Sequence, residues 1–132
     1  MPLLPPPASG SSFGARRTVA RIALVAGILL VCLIAFNPHT RHLPTTGWDK
    51  LNHLLAFTSL GLAAWWAYPG ARWSAFVALL GFGVLIELVQ TQIPGHSAEA
   101  ADLLADLLGL GTAALVARLT SHASALARPG RP

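Results

Sequence analysis

A chain of 132 residues that is 54% hydrophobic and only 11% charged lies outside the range of soluble domains, about a quarter of whose residues are charged. A globule of this size has too little interior to bury so much apolar surface, so the composition requires a bilayer. The net charge of +4 does not mark a nucleic-acid binder, because the nine basic residues sit scattered at the edges of apolar runs and form no single stripe.

Residues 1–18 contain Pro5-Pro6-Pro7 and a stretch rich in Ser and Gly, and are expected to form a disordered cytoplasmic leader. Arg16, Arg17 and Arg21 flank an apolar run that ends at Phe36. The run is long and no small-residue cleavage site follows it, so residues 19–36 are predicted to be an uncleaved anchor helix. The arginine pair reads as a positive cytoplasmic flank and not as an export signal. Cys32, the single cysteine, excludes an intramolecular disulfide and a cysteine metal cluster.

A polar loop with Pro38, His39, Arg41 and His42 leads to Trp48 and a second predicted span over 49–68. Pro69-Gly70 marks a tight turn before a third span, 72–90. Pro94-Gly95 marks the next loop, and the fourth span covers 101–119, followed by a cytoplasmic tail over 120–132. Each span has about 18–20 residues, enough to cross roughly 30 Å of hydrocarbon as helix. The expected fold is therefore all-α, an integral-membrane antiparallel bundle of four transmembrane helices forming one domain over 19–119.

Basic residues set the orientation. With the N-terminus inside, Arg16, Arg17, Arg21, Arg72, Arg118, Arg128 and Arg131 are cytoplasmic, and only Arg41 and Lys50 lie outside. The positive-inside rule then puts both termini in the cytoplasm. Trp48 at one face, with Trp65, Trp66, Tyr68 and Trp73 at the other, fits aromatic belts, although plain apolar packing explains them equally well. On the fourth span Ala101, Ala105, Gly109, Ala113 and Ala117 recur every four residues, a ridge for close helix packing, while Leu110 is expected to face lipid. Gly81 and Gly83 are expected to form a matching notch on the third.

On this topology the polar residues gather at the outer face. Asp49, Lys50 and His53 open the second span, Glu87 and Gln90 close the third, and Asp102 and Asp106 open the fourth. The intervening loop adds Gly95, His96, Ser97 and Glu99. The expectation is a shallow, water-accessible pocket formed by Asp49, Lys50, His53, Glu87, Gln90, His96, Ser97, Asp102 and Asp106, suited to a polar or anionic ligand at two helix N-termini. Asp49 and Asp102 can equally serve as capping groups. Glu87 and Asp106 lie too deep in their helices for that, and in a lipid-facing segment such groups serve pairing or a site. No metal-spaced cluster is present, so no metal and no cofactor are expected. Ser97 beside His96 lacks the turn that activates a serine nucleophile.

Asp49-Lys50-x-x-His53 with Ala56-Phe57, Glu87-x-x-Gln90, Pro94-Gly95-x-Ser97 and Asp102-x-x-Ala105-Asp106-x-x-Gly109 together resemble the VanZ-like family of small bacterial membrane proteins, named for an association with teicoplanin resistance. The likeness runs from Asp49 to Ala117, and the first span matches in character only. His96 stands where the family usually has Arg, and Asp106 where it has Asn. A histidine is only partly charged near neutral pH, so this loop lacks a permanent cation. The resemblance implies a multi-pass protein of the bacterial cytoplasmic (inner) membrane and cell envelope, linked to glycopeptide antibiotic resistance.

Three functions compete. The first is a non-enzymatic envelope protein whose pocket binds a lipid-linked cell-wall precursor, a lipid head group or a glycopeptide. The second is a bundle that pairs with another membrane protein, or with itself, through the small-residue ridge. The third is an intramembrane hydrolase or transferase with His53 or Glu87 as base. Proton or ion transport is disfavoured, because the inner halves of the spans carry almost no polar groups.

Overall fold

The computed structural model describes residues 10–36, 49–93 and 98–126. These form four α-helices and no strand: α1 (Gly10–Phe36), α2 (Asp49–Ala67), α3 (Arg72–Gln90) and α4 (Ala100–Leu126). Ser12–Phe36 within α1, and the whole of α3 and α4, are long and apolar enough to cross a membrane. The first two turns of α2 carry Asp49, Lys50, Asn52 and His53, which lower the hydropathy of that helix.

Two ends differ from expectation. α1 begins at Gly10, inside the stretch expected to be disordered, and α4 runs on to Leu126, inside the expected tail. Both extensions lack proline (Ser11 to Thr18 and Thr120 to Leu126), and a helix already nucleated by an apolar run adds each further residue at little cost. The α2–α3 connection is the tight turn that Pro69-Gly70 foretold, closed by an Ala71 N–H donating to the Tyr68 carbonyl at 3.0 Å.

Consecutive helices run antiparallel, so α2 and α4 lie parallel. The Arg21 guanidinium of α1 sits 5.3 Å above the ring of Tyr68, just past the end of α2. Phe57 and Phe82 stack at 6.3 Å between the middles of α2 and α3. The tightest contact is the parallel seam. A Cβ at Gly109 would come 2.6 Å from the Leu54 carbonyl oxygen and 3.0 Å from the Thr58 nitrogen, and one at Gly61 would meet the Ala113 Cβ at 2.7 Å. The Thr58 hydroxyl donates to the Leu54 carbonyl at 2.7 Å and reaches the Gly109 carbonyl at 3.2 Å, so it bridges the two backbones. Small residues permit this approach, and dispersion then holds helices together where lipid supplies no hydrophobic drive.

Ala105, Gly109, Ala113 and Ala117 are buried along this seam, but Ala101 is exposed and does not belong to the ridge. Leu110, expected to face lipid, is buried at 3% exposure because it fills the space beside Gly61. Gly83 is buried against Asp106 and Phe57. Gly81 is exposed, and a Cβ there meets nothing within 4 Å, so it is no part of a packing notch. Two positions apart on a helix are 200° apart around it, which is why only one of the pair can face the bundle. Ile22, Leu29, Val77, Leu88, Leu115 and Leu119 are large, apolar and exposed, the outer surface that a lipid-facing bundle presents.

At the end where α2 finishes, Trp65 is buried while Trp66, Tyr68 and Trp73 are exposed. The guanidinium of Arg72 lies 4.4 Å from the Trp65 ring centre, and that of Arg118 lies 5.5 Å from the Trp73 ring centre. Trp65 is therefore core, and the other three aromatics are exposed at this end.

Candidate functional site: a buried acid–histidine cluster

Asp49 and His53 are four residues apart on α2, and Asp102 and Asp106 are four apart on α4, so each pair shares one helix face. The α2 and α4 backbones meet at Gly109 in parallel, which levels the starts of the two helices. Lys50 then faces Asp102, and His53 faces Asp106. The antiparallel α3 delivers Glu87 from its last turn to the same place.

The contacts form a chain across three helices. His53 Nδ1–H donates to Asp106 Oδ1 at 2.8 Å, and His53 Nε2 lies 3.9 Å from Glu87 Oε1. The backbone N–H of Glu99 donates to Glu87 Oε2 at 2.9 Å, which ties the start of α4 to the end of α3. Lys50 Nζ donates to Glu99 Oε2 at 2.7 Å and lies 3.5 Å from Asp102 Oδ1. The hydrogen bond from Lys50 holds the Glu99 carboxyl below the ordinary carboxylate range.

The side chains of His53, Glu87, Asp102 and Asp106 are exposed by only 10%, 9%, 5% and 0%. The expected shallow, open pocket is thus a nearly closed polar interior, because Phe57, Gly83 and the α2–α4 seam pack around it. Three buried oxygens in it accept no hydrogen bond: Glu87 Oε1, Asp102 Oδ1 and Asp106 Oδ2. All five acidic residues of the chain belong to this end, and among the described residues Lys50 and His53 stand against them. Asp102 turns its carboxylate toward Lys50, so it acts here as an ionic partner more than as a cap.

Of the residues expected in the site, Lys50, His53, Glu87, Asp102 and Asp106 are brought together. Asp49 stands exposed at the rim, with a carboxylate oxygen, a His53 nitrogen and an Asp102 oxygen within 4.8 Å of one another. The sequence spacing had suggested no metal cluster, but this group draws on two helices and has no linear signature. Gln90 is half-buried one turn beyond Glu87, and no hydrogen bond among the described residues joins it to the cluster. His96 and Ser97 lie outside the described residues, as do His39, His42 and Trp48. Glu99, read only as a loop residue, is the link between Lys50 and Glu87. Its place three residues before Asp102, one helical turn away, is the signal that could have found it.

The fold and site define an all-helical protein with three helices fit to cross a membrane and a cluster of buried carboxylates around one histidine. No family model matches the chain, and neither a curated protein nor a solved structure matches it.

Proposed function

We propose that this chain is a VanZ-like protein of the bacterial inner membrane, spanning it four times with both termini cytoplasmic. Its acid–histidine cluster binds the polar head group of an envelope lipid or of a lipid-linked cell-wall precursor, a role compatible with glycopeptide tolerance. The observation that carries this reading is the pair of buried carboxylate oxygens without a donor, Glu87 Oε1 and Asp106 Oδ2, beside an Asp102 Oδ1 that Lys50 approaches at 3.5 Å. Each unpaired buried acceptor costs about 1–3 kcal/mol, which a ligand's hydroxyl, amide or ammonium groups can recover. With five acids against Lys50 and His53 among the described residues, a donor-bearing head group such as an amino sugar or a peptide amine suits the cluster better than a bare anion.

Other features support the reading. The motif residues behind the family resemblance, Lys50, His53, Glu87, Asp102 and Asp106, converge from three helices. If α2 is the fourth span, the acids and Lys50 face outward and the arginines face the cytoplasm. The interaction-protein reading is less supported on its small-residue ridge, since Ala105, Gly109, Ala113 and Ala117 are buried within the chain and α2 packs on Gly109 and Ala113. The hydrolase reading keeps one specific observation, a histidine oriented by Asp106 and facing Glu87, the geometry of a positioned base.

The test is native mass spectrometry of the full chain after mild extraction from a bacterial membrane. A co-purifying head-group lipid that is lost in Glu87→Gln and Asp102→Asn, with folding retained, is the expected result. Absence of bound lipid in the parent, or equal retention in both variants, overturns the reading.

A further inference from the structure

We propose that Asp49, His53 and Asp102 form a divalent transition-metal site of the zinc class at the mouth of the buried cluster. One donor atom from each of the three lies within 4.8 Å of the others. Donor atoms bound to a single zinc ion are about 3.4 Å apart, from metal–ligand distances near 2.1 Å and tetrahedral angles. A small inward movement of side chains closes the difference, and Asp49, being exposed, is free to make it.

Three further features point to a cation. The side chain of Asp102 is 95% buried (5% exposed), yet its Oδ1 receives no hydrogen bond, and the nearest cation, Lys50 Nζ, stands off at 3.5 Å. Asp106 accepts the Nδ1 hydrogen of His53 at 2.8 Å, which orients the ring and leaves Nε2 as the nitrogen for a metal. A carboxylate behind a histidine is the usual outer support of such a ligand. The charges of the described residues agree, because five carboxylates meet Lys50 and His53 among them. One imidazole with two carboxylates suits zinc or manganese more than calcium or magnesium, which prefer oxygen donors alone. Glu87 Oε1, 3.9 Å from His53 Nε2 and without a donor, is the next carboxylate in reach.

Lys50 competes with the metal for Asp102. It is tethered to the exposed Glu99, so it can swing out toward water when the ion enters. Removing it should therefore strengthen metal binding, whereas a purely structural ion cluster would gain nothing.

The experiment measures Zn²⁺ and Mn²⁺ binding to the full chain in detergent, purified through a non-histidine tag, by isothermal titration and elemental analysis. The expected result is one Zn²⁺ per chain. Asp49→Asn, an exposed change that leaves folding intact, should weaken it about tenfold. Asp106→Asn should weaken it about 10–100-fold through loss of ring orientation. His53→Ala should abolish it, and Lys50→Ala should tighten it. Should the buried variants fail to fold, Asp49→Asn and Lys50→Ala decide the matter. Substoichiometric zinc in the parent, or binding unchanged in both of those variants, overturns the site. Because the probe is the metal alone, the result stands apart from whether a head group co-purifies.

Discussion

Gly83 of α3 stands directly against the Asp106 carboxylate of α4: a Cβ at position 83 would collide with Oδ2 and come 3.1 Å from the tip of Phe57. Asp106 is fully buried and Phe57 is 1% exposed, so neither can move aside freely. The polar interior and the packing of α3 against α2 and α4 thus depend on the same missing side chain.

Gly83→Ala should therefore lower stability by about 1–3 kcal/mol through overpacking. Gly81→Ala, two residues away on the open face, should raise it by about 0.5–1 kcal/mol, since alanine is the better helix former. Thermal aggregation of both variants in detergent checks the pair. Equal effects would mean that Gly83 is not at a close approach.

Both Gly109→Leu and Leu110→Ala should damage assembly, by different routes. The first drives a side chain into the Leu54 carbonyl and the α2 backbone, which has no rotamer with which to yield. The second empties a site that is 3% exposed and should cost about 2–5 kcal/mol. Gly109→Leu is expected to prevent accumulation in the membrane, while Leu110→Ala accumulates with a lowered melting temperature. A parent-like Leu110→Ala would return that residue to the lipid-facing surface.

The proposed topology is tested by cysteine labelling in a Cys32→Ala background. A cysteine at Gln92, beyond α3, should react with an impermeant maleimide in intact cells. A cysteine at Ser124, near the end of α4, should react only after permeabilisation. The reverse pattern would invert the protein and put the acid–histidine cluster in the cytoplasm.

Glu99 contributes a small, pH-dependent increment. Its carboxyl is held below the usual range by Lys50, so the Lys50–Glu99 pair stabilises the fold above the unfolded carboxylate pKa of about 4.3 and is lost as pH falls through the lower folded value. Parent and Glu99→Gln melting curves should differ slightly at neutral pH and converge in acid. Because the pair is exposed, the difference should shrink in salt. A difference that grows toward low pH would contradict the pairing.

Composition and punctuation alone determined the helical class, the need for a membrane and the element boundaries at Asp49, Arg72 and Gln90, because apolar runs and Pro-Gly turns act locally. The charged residues of interest were also legible, since ionisable groups stand out in segments built for lipid. Their relationships were not. That Lys50 bonds Glu99, that His53 leans on Asp106, and that Asp49, His53 and Asp102 share a donor-atom cluster follow only from the parallel contact of α2 with α4. Likewise the tertiary structure alone decided that Gly83 packs and Gly81 does not, and that Leu110 is inside. Spacing says which residues share a helix face. Which face turns inward, and what meets it there, is decided by long-range packing between segments fifty residues apart, as His53 and Asp106 are.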